Sequence, residues 1–372
     1  MESVKQSSIV LRDRGHSVEI ASLDSPMKPW VGDFPVPVHA LGPGRGSYGY
    51  SPRFSNWVKE NHAGYDAVIV HGIWQYNSFG VWRALHRTGT PYFVFLHGML
   101  DPWFNRTYPV KHLKKLLYWP WAEYRVLRDA AAVLFTSEEE RLLASQSFSL
   151  YRCNEKVVNY GTAAPTADMA GAKRDFFNRF PELRGKRLLL FLGRLHEKKG
   201  CDLLIKALAR QSAAAGTEPF HLVMAGPWSD DAYLESLKQL AIRNRVESSV
   251  TFTGMLGGTL KWGAFSTAEA FVLPSHQENF GISVVEALAC RTPVLISNKI
   301  NIWREIVNDR AGFADEDDLD GTTRLIERWQ QTEPAERLAM KQNARRCFES
   351  RFEINRAVDS LLEVLHDSLK SE

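Results

Sequence analysis

Twice along this chain, short apolar runs of strand character alternate with helical segments. That alternation narrows the fold to parallel sheets covered by helices on both faces. In the first series the strands fall at 16–21, 67–71, 92–97 and 131–135, with 156–161 closing the half, and helical patterns lie near 3–14, 52–62, 78–88, 111–128 and 137–146. In the second they fall at 187–192, 221–225, 250–252, 269–273 and 293–296. The expected organisation is an N-terminal Rossmann-like domain over 1–161, a linker of small and polar residues with one short helix over 162–185, and a second domain over 186–350. A last helix over 351–372 has Phe352, Ile354, Val358, Leu361, Leu362 and Leu365 on one face. Ligands of such sheets bind at the carboxyl ends of the strands, which places the expected site in the cleft between the two domains.

Composition agrees with two ordinary cores: 372 residues, 44% hydrophobic and 24% charged. A net charge of +3 gives no argument for nucleic acid. No apolar run has the length of a membrane span, and the first residues lack the apolar core of a signal peptide, so the expected location is cytoplasmic. Cys153, Cys201, Cys290 and Cys347 lie far apart without metal-ligand spacing and read as small buried hydrophobes. No metal and no cofactor are expected.

Three places carry chemistry. After the strand-like 270–273 and Pro274, a loop runs through Glu278, Phe280 and Gly281 into a helix whose apolar positions Ile282, Val285, Leu288 and Ala289 should face a core. Glu286 then sits about one turn inside that helix. A carboxylate there needs partners, and the paired hydroxyls of a ribose can donate to both of its oxygens. The helix start adds unpaired N–H groups and a positive dipole end, which suit a diphosphate. The other reading of the pair is a solvated loop residue at Glu278 and a helix-face charge at Glu286. The second place is Gly193-Arg194-Leu195-His196-Glu197-Lys198-Lys199-Gly200, at the exit of an apolar strand, where Gly193 permits a tight turn and Arg194 and Lys199 can reach phosphate oxygens. The third is His97-Gly98, at the carboxyl end of a buried strand, with His71-Gly72 ending a neighbouring strand in the same way.

Glu278 and Glu286 with their spacing resemble the Glu-x7-Glu signature of retaining glycosyltransferases of the GT-B fold, in the large family numbered four. The string from Gly193 to Gly200 resembles that family's Gly-Arg-Leu…Lys-Gly element, and His97 matches its histidine beside the transferred sugar. The resemblance runs from about Ser3 to Leu365. It implies a GT-B fold, two Rossmann-like domains facing a cleft with the 351–372 helix crossing back to the first, and transfer of a hexose with retention from a UDP- or GDP-linked donor. It assigns the donor-sugar hydroxyls to Glu278, the ribose to Glu286, and the diphosphate to Arg194 and Lys199. Gly193, Phe280, Gly281 and Ile282 join Glu286 as substrate-binding positions, and His97, Arg194, Lys199 and Glu278 are the expected catalytic set. These cations, with N–H groups near Phe280 and Gly281, can carry the leaving-group charge, so no metal is required. The acidic run 315–318 reads as a solvated turn.

Members of that family open with a strand and a loop carrying two glycines before the first helix. Here 2–16 already resembles that helix and its exit, so the first strand and glycine loop are expected to be missing, through an upstream start or a shortened form. Between 106 and 128, Arg106, Lys111, Lys114, Lys115, Arg125 and Arg128 stand among Tyr118, Trp119, Trp121 and Tyr124 against the single acid Glu123. Such a segment suits an anionic membrane surface or a helix packed on the sheet with a basic rim, and Pro120 argues against one unbroken helix. A lipid-linked glycan acceptor in surface polysaccharide synthesis is the expectation that follows from the resemblance. A noncatalytic sugar-nucleotide-binding subunit and a GT-B sugar-nucleotide epimerase are the alternatives.

Overall fold

The computed structural model describes residues 2–166, 168–212, 218–228 and 230–370, with no account of the Arg106 side chain. It forms two compact units, 1–161 with 354–372, and 162–353.

In the first unit the strands are β1 (Ile20–Ser22), β2 (Val38–Ala40), β3 (Val68–His71), β4 (Tyr92–Phe95), β5 (Ala132–Phe135) and β6 (Glu155–Val157). Helix α1 (Glu2–Asp13) opens it, and α2 (Pro109–Tyr118) lies between β4 and β5 in sequence. All pairings are parallel. β3-β4-β5-β6 form one sheet, whereas β1 and β2 form a separate two-stranded one. The continuous apolar run of β4 is explained by burial on both faces. Tyr92 and Val94 join one core with Phe54, Val58 and Trp82, and Phe93 and Phe95 join another with Leu134 and with Leu361 of the C-terminal helix Ile354–Leu369. The expected strand over 16–21 is shorter than its apolar pattern. Its partner β2 had no sequence signal, because a half-buried three-residue strand carries no periodicity. The helical pattern over 111–128 is broken: α2 ends at Tyr118 and a further helix begins at Glu123, with Pro120 between them.

The second unit holds β7 (Arg187–Leu192), β8 (Phe220–Ala225), β9 (Val250–Gly254), β10 (Ala270–Leu273), β11 (Val294–Ser297) and β12 (Gly312–Asp315) in the order β12-β11-β10-β7-β8-β9, all parallel. The stretch 162–185, expected as a linker, contributes α3 (Met169–Arg179), capped by Asp168 on the N–H groups of Ala170 and Gly171. α3 buries Ala172 and Phe176 against α5 (Gly258–Thr267), so close that a Cβ at Gly263 would stand 2.2 Å from the Ala172 carbonyl oxygen. Phe176 lies four residues after Ala172, one helical turn on, which makes this part of the stretch a packed helix. Between these come α4 (Cys201–Ser212), and after them α6 (Ile282–Ala289) and α7 (Leu319–Gln331). The unit's last residue is 353, so the second unit runs three residues past the expected boundary.

Candidate functional site

The strand order of the second unit reverses at β7, which sits between β10 and β8. Such a reversal opens a crevice at the carboxyl ends of the two diverging strands. The loops after β7 and β10 meet there. The Lys198 carbonyl accepts from the His276 N–H at 2.9 Å and from the Ser275 hydroxyl at 3.1 Å, which ties the basic loop to the acidic one.

Within this crevice Lys199 and Glu278 form an ion pair. Glu278 is also fixed through its backbone, donating to Lys299 O at 3.0 Å and accepting from the Asn301 N–H at 3.0 Å. Gly200 follows Lys199 with φ +65°, and a Cβ there would lie 2.4 Å from the Pro274 carbonyl oxygen, so glycine is required for the two loops to touch. Gly281 precedes α6 with φ +73° and no side chain caps the helix. Among the described residues, the N–H groups of Gly281, Ile282 and Ser283 have no acceptor. They are the unpaired donors of a helix start and point out of its N-terminal end. Phe280 is buried against Phe352, ring centroids 5.7 Å apart. Ile282, expected in the core, is 37% exposed, because it occupies the first helical position at the open end; Val285, Leu288 and Ala289 are buried.

Glu286 is 12% exposed and pairs with Lys261 of α5 at 2.7 Å. Sequence reasoning missed Lys261, whose only signal is a cation in the otherwise uncharged helical run 258–267. Arg194 is exposed and makes no ion pair among the described residues. The tight turn expected at Gly193 is absent: a Cβ there would meet only Phe191, at 3.7 Å, with ordinary backbone. The glycine that the strand exit requires is Gly226 after β8, whose Cβ would fall 1.8 Å from Gly193 O. The run 315–318 is partly exposed, and its acids are partnered. Asp315 pairs with Arg324, Asp317 bonds His276 at 2.8 Å, and Asp318 caps α7 on the Gly321 N–H.

His97 belongs to the first unit. It has φ +50°, and its Nε2 lies 3.0 Å from Nδ1 of His71, with the rings near-parallel at 5.3 Å. Gly98 next to it donates to the buried Glu140 carboxylate at 2.5 Å. Burial pushes His71 down to about 3 and His97 down to about 4, so both rings are neutral at pH 7 and one donates to the other. Burial holds the thiols of Cys153, Cys201, Cys290 and Cys347 above the ordinary range; Cys201 and Cys347 are buried and the other two half-buried. In α2, Val110, Leu113 and Leu117 are 72%, 61% and 72% exposed, and Trp121 beyond it is 67% exposed. Among the described residues no helix is long and apolar enough to cross a membrane.

Residues 173–347 match the family model of group 1 glycosyl transferases, and residues 10–161 match that of the glycosyl transferase 4-like domain. An α-D-kanosaminyltransferase of Streptomyces kanamyceticus is 24% identical over 255 residues, which cover 66% of this chain and 63% of that protein. The first curated relatives are matched over between 27% and 63% of their own length. Among solved structures, a sucrose-phosphate synthase from Thermosynechococcus elongatus superposes with TM-score 0.79 at 19% identity, covering 99% of this chain and 93% of that one. HepE of Anabaena, solved with UDP and glucose, superposes with TM-score 0.75 at 18% identity, covering 98% and 95%. These likenesses establish the GT-B fold, and the two family models, which between them match most of the chain, establish that it belongs to the group 1 glycosyltransferases.

Proposed function

We propose that the chain transfers a hexose, with retention and without a metal ion, from a UDP- or GDP-linked donor to a glycan acceptor carried on a lipid. The observation that carries this reading is the pairing of Lys199 with Glu278 beside the unpaired N–H groups of Gly281, Ile282 and Ser283. A cation and a helix start in one crevice suit a diphosphate, and an acid beside them suits sugar hydroxyls. Glu286, held by Lys261, takes the ribose hydroxyls, and Arg194 takes phosphate oxygen. On the family resemblance His97 hydrogen-bonds the transferred sugar, which its neutral ring allows.

In the transfer, the bond from the anomeric carbon to the diphosphate breaks and a bond to the acceptor oxygen forms on the same face of the sugar. The acceptor proton passes to the leaving phosphate. Negative charge grows on the diphosphate as it departs, and Arg194, Lys199 and the α6 N–H groups stabilise it electrostatically. No protein nucleophile takes part, because Glu278 is assigned to the sugar hydroxyls. The exposed Val110, Leu113 and Leu117 of α2, with Lys111 and Lys114 beside them, fit the surface of an anionic membrane, where a lipid-linked acceptor resides. This location is peripheral and cytoplasmic.

The test uses radiolabelled UDP- and GDP-sugars with membrane lipid extract. Label should enter lipid in the presence of EDTA, and the product's anomeric configuration should match the donor's. Activity restored only by manganese or magnesium, or an inverted product, contradicts the mechanism. Release of free sugar and nucleotide without acceptor would favour the epimerase, and donor binding without turnover the noncatalytic subunit.

A further inference from the structure

Three loops leave the carboxyl edge of the second unit's sheet side by side, after β10, β11 and β12, because these strands are parallel neighbours with β11 in the middle. The first loop carries His276 and Glu278, the second Lys299 and Asn301, and the third the acidic run 315–318. Glu278 is tied to the middle loop by its backbone, through the Lys299 carbonyl and the Asn301 N–H. His276, two residues earlier, donates its own N–H to Lys198.

Asp317 reaches both of the other loops at once. Its Oδ2 lies 2.8 Å from Nδ1 of His276, and its Oδ1 lies 3.8 Å from Nζ of Lys299. A carboxylate oxygen accepts, so the His276 ring donates from Nδ1. Lys299 is also the residue whose carbonyl receives the Glu278 N–H. The two oxygens of one carboxylate therefore act on residues that bracket Glu278, one along the chain and one across the loop pair. The turn bearing Asp317 is itself fixed. Asp315 O accepts from the Asn298 N–H at 2.8 Å, the Glu316 carboxylate accepts from the Asn298 side chain at 2.8 Å, and Asp318 caps α7 on the Gly321 N–H at 2.7 Å. A Cβ at Gly321 would stand 2.3 Å from the Glu316 carbonyl oxygen, so the start of α7 is pressed directly onto the turn.

The Asp317, His276 and Lys299 side chains are partly exposed, and pairs of that kind add little to stability. Their position suits aim instead. Glu278 is ion-paired with Lys199, and a diphosphate that draws Lys199 onto its oxygens removes that side-chain partner. The direction of the Glu278 carboxylate then depends on how its backbone is held. We propose that Asp317 is a positioning residue for the transfer, holding the Glu278 loop through His276 and Lys299 so that the carboxylate meets the donor sugar once Lys199 has turned to the diphosphate, an assignment that rests on the reading of Glu278 as the acid for the sugar hydroxyls. A group displaced by about 1 Å loses much of its value in such an interaction.

Hydrogen exchange at single-amide resolution and calorimetry test this on the full chain and on Asp317→Ala, Asp317→Asn and Glu278→Ala, with UDP, GDP, UDP-glucose and GDP-mannose as probes. Asp317→Ala should speed exchange at the Glu278 and Asn301 amides by about tenfold while amides inside β7 and β8 stay as slow as in the parent, which separates a loosened loop from lost stability. In the same variant the ratio of sugar-nucleotide affinity to that of the matching diphosphate should fall by about tenfold, as it should in Glu278→Ala. Asp317→Asn keeps an acceptor for the ring and should recover most of both effects. Unchanged exchange at Glu278 and Asn301 overturns the positioning role. So does an equal loss for diphosphate and sugar nucleotide in Asp317→Ala, which would mark a structural effect only. Loosened amides in Asp317→Ala together with an unchanged affinity ratio in Glu278→Ala would overturn the sugar assignment of Glu278, and with it the part of Asp317 in transfer.

Discussion

Lys261 gives Glu286 a reason to sit on a largely apolar helix. The ammonium pairs with the carboxylate and aims it, so removing either group should weaken nucleotide binding. Glu286→Ala is expected to lower affinity for the nucleoside as well as the diphosphate by about tenfold or more, and Lys261→Met by a smaller factor, as measured by calorimetry; an unchanged affinity in Glu286→Ala would dissociate this acid from the ribose. Glu123 behaves differently. Burial pushes its carboxyl up to about 7 from 4.5, although the Trp74 N–H, the Ser78 hydroxyl and Lys115 pull it down. A raised acid binds its proton more tightly when folded. Its contribution is therefore complete below pH 4.5 and is lost as pH rises through 7, on the order of 3 kcal/mol in total. Glu123→Gln should gain stability relative to the parent between pH 5 and 8 in urea unfolding. An equal difference at both pH values would show that the carboxyl does not titrate in that window. The motif acids and cations could be found from sequence because their identity and spacing are local. Lys261 and Gly226 could not, since what each meets lies 25 and 33 residues away in the chain.

At the scale of elements, the strands with two buried faces were legible, and the edge strands β2 and β12 were not. β4 and β10 are continuous apolar runs, whereas β2 has three half-buried residues and β12 runs from a glycine to an aspartate, with a pattern no different from a loop. The helix over 169–179 was readable as short, but its packing against α5 depends on Gly263, which carries no signal of its own. Two predictions belong here. Gly226→Ala would place its Cβ in the Gly193 carbonyl at φ +147°, and should cost about 3 kcal/mol and disturb the basic loop, seen as a lower melting temperature and weaker nucleotide binding together. Leu113→Glu with Leu117→Glu should leave folding unchanged, since both side chains are exposed, and reduce binding to vesicles containing anionic lipid. Retained vesicle binding would remove α2 from the membrane contact.

At the scale of the whole molecule, the division into two α/β units could be read from the order of strands and helices, because each unit repeats its own alternation. Where the C-terminal helix belongs could not be read from its apolar face alone; its packing with Phe93, Phe95 and Leu134 places it with the first unit. The proposed donor groups Arg194, Lys199, Glu278 and Glu286 all lie in the second unit. Nucleoside diphosphate binding should therefore survive changes confined to the first, such as His97→Ala, which should reduce transfer. The central claim is that the crevice at the β7 and β10 strand ends holds a diphosphate through Arg194, Lys199 and the start of α6. Calorimetry of the intact chain and of Arg194→Ala, with UDP, GDP and the free nucleosides, tests it most directly. Binding of at least one diphosphate, weakened in the variant by more than the matching nucleoside, is the predicted result. No binding of either diphosphate by the folded protein, or an equal loss for diphosphate and nucleoside, would contradict it.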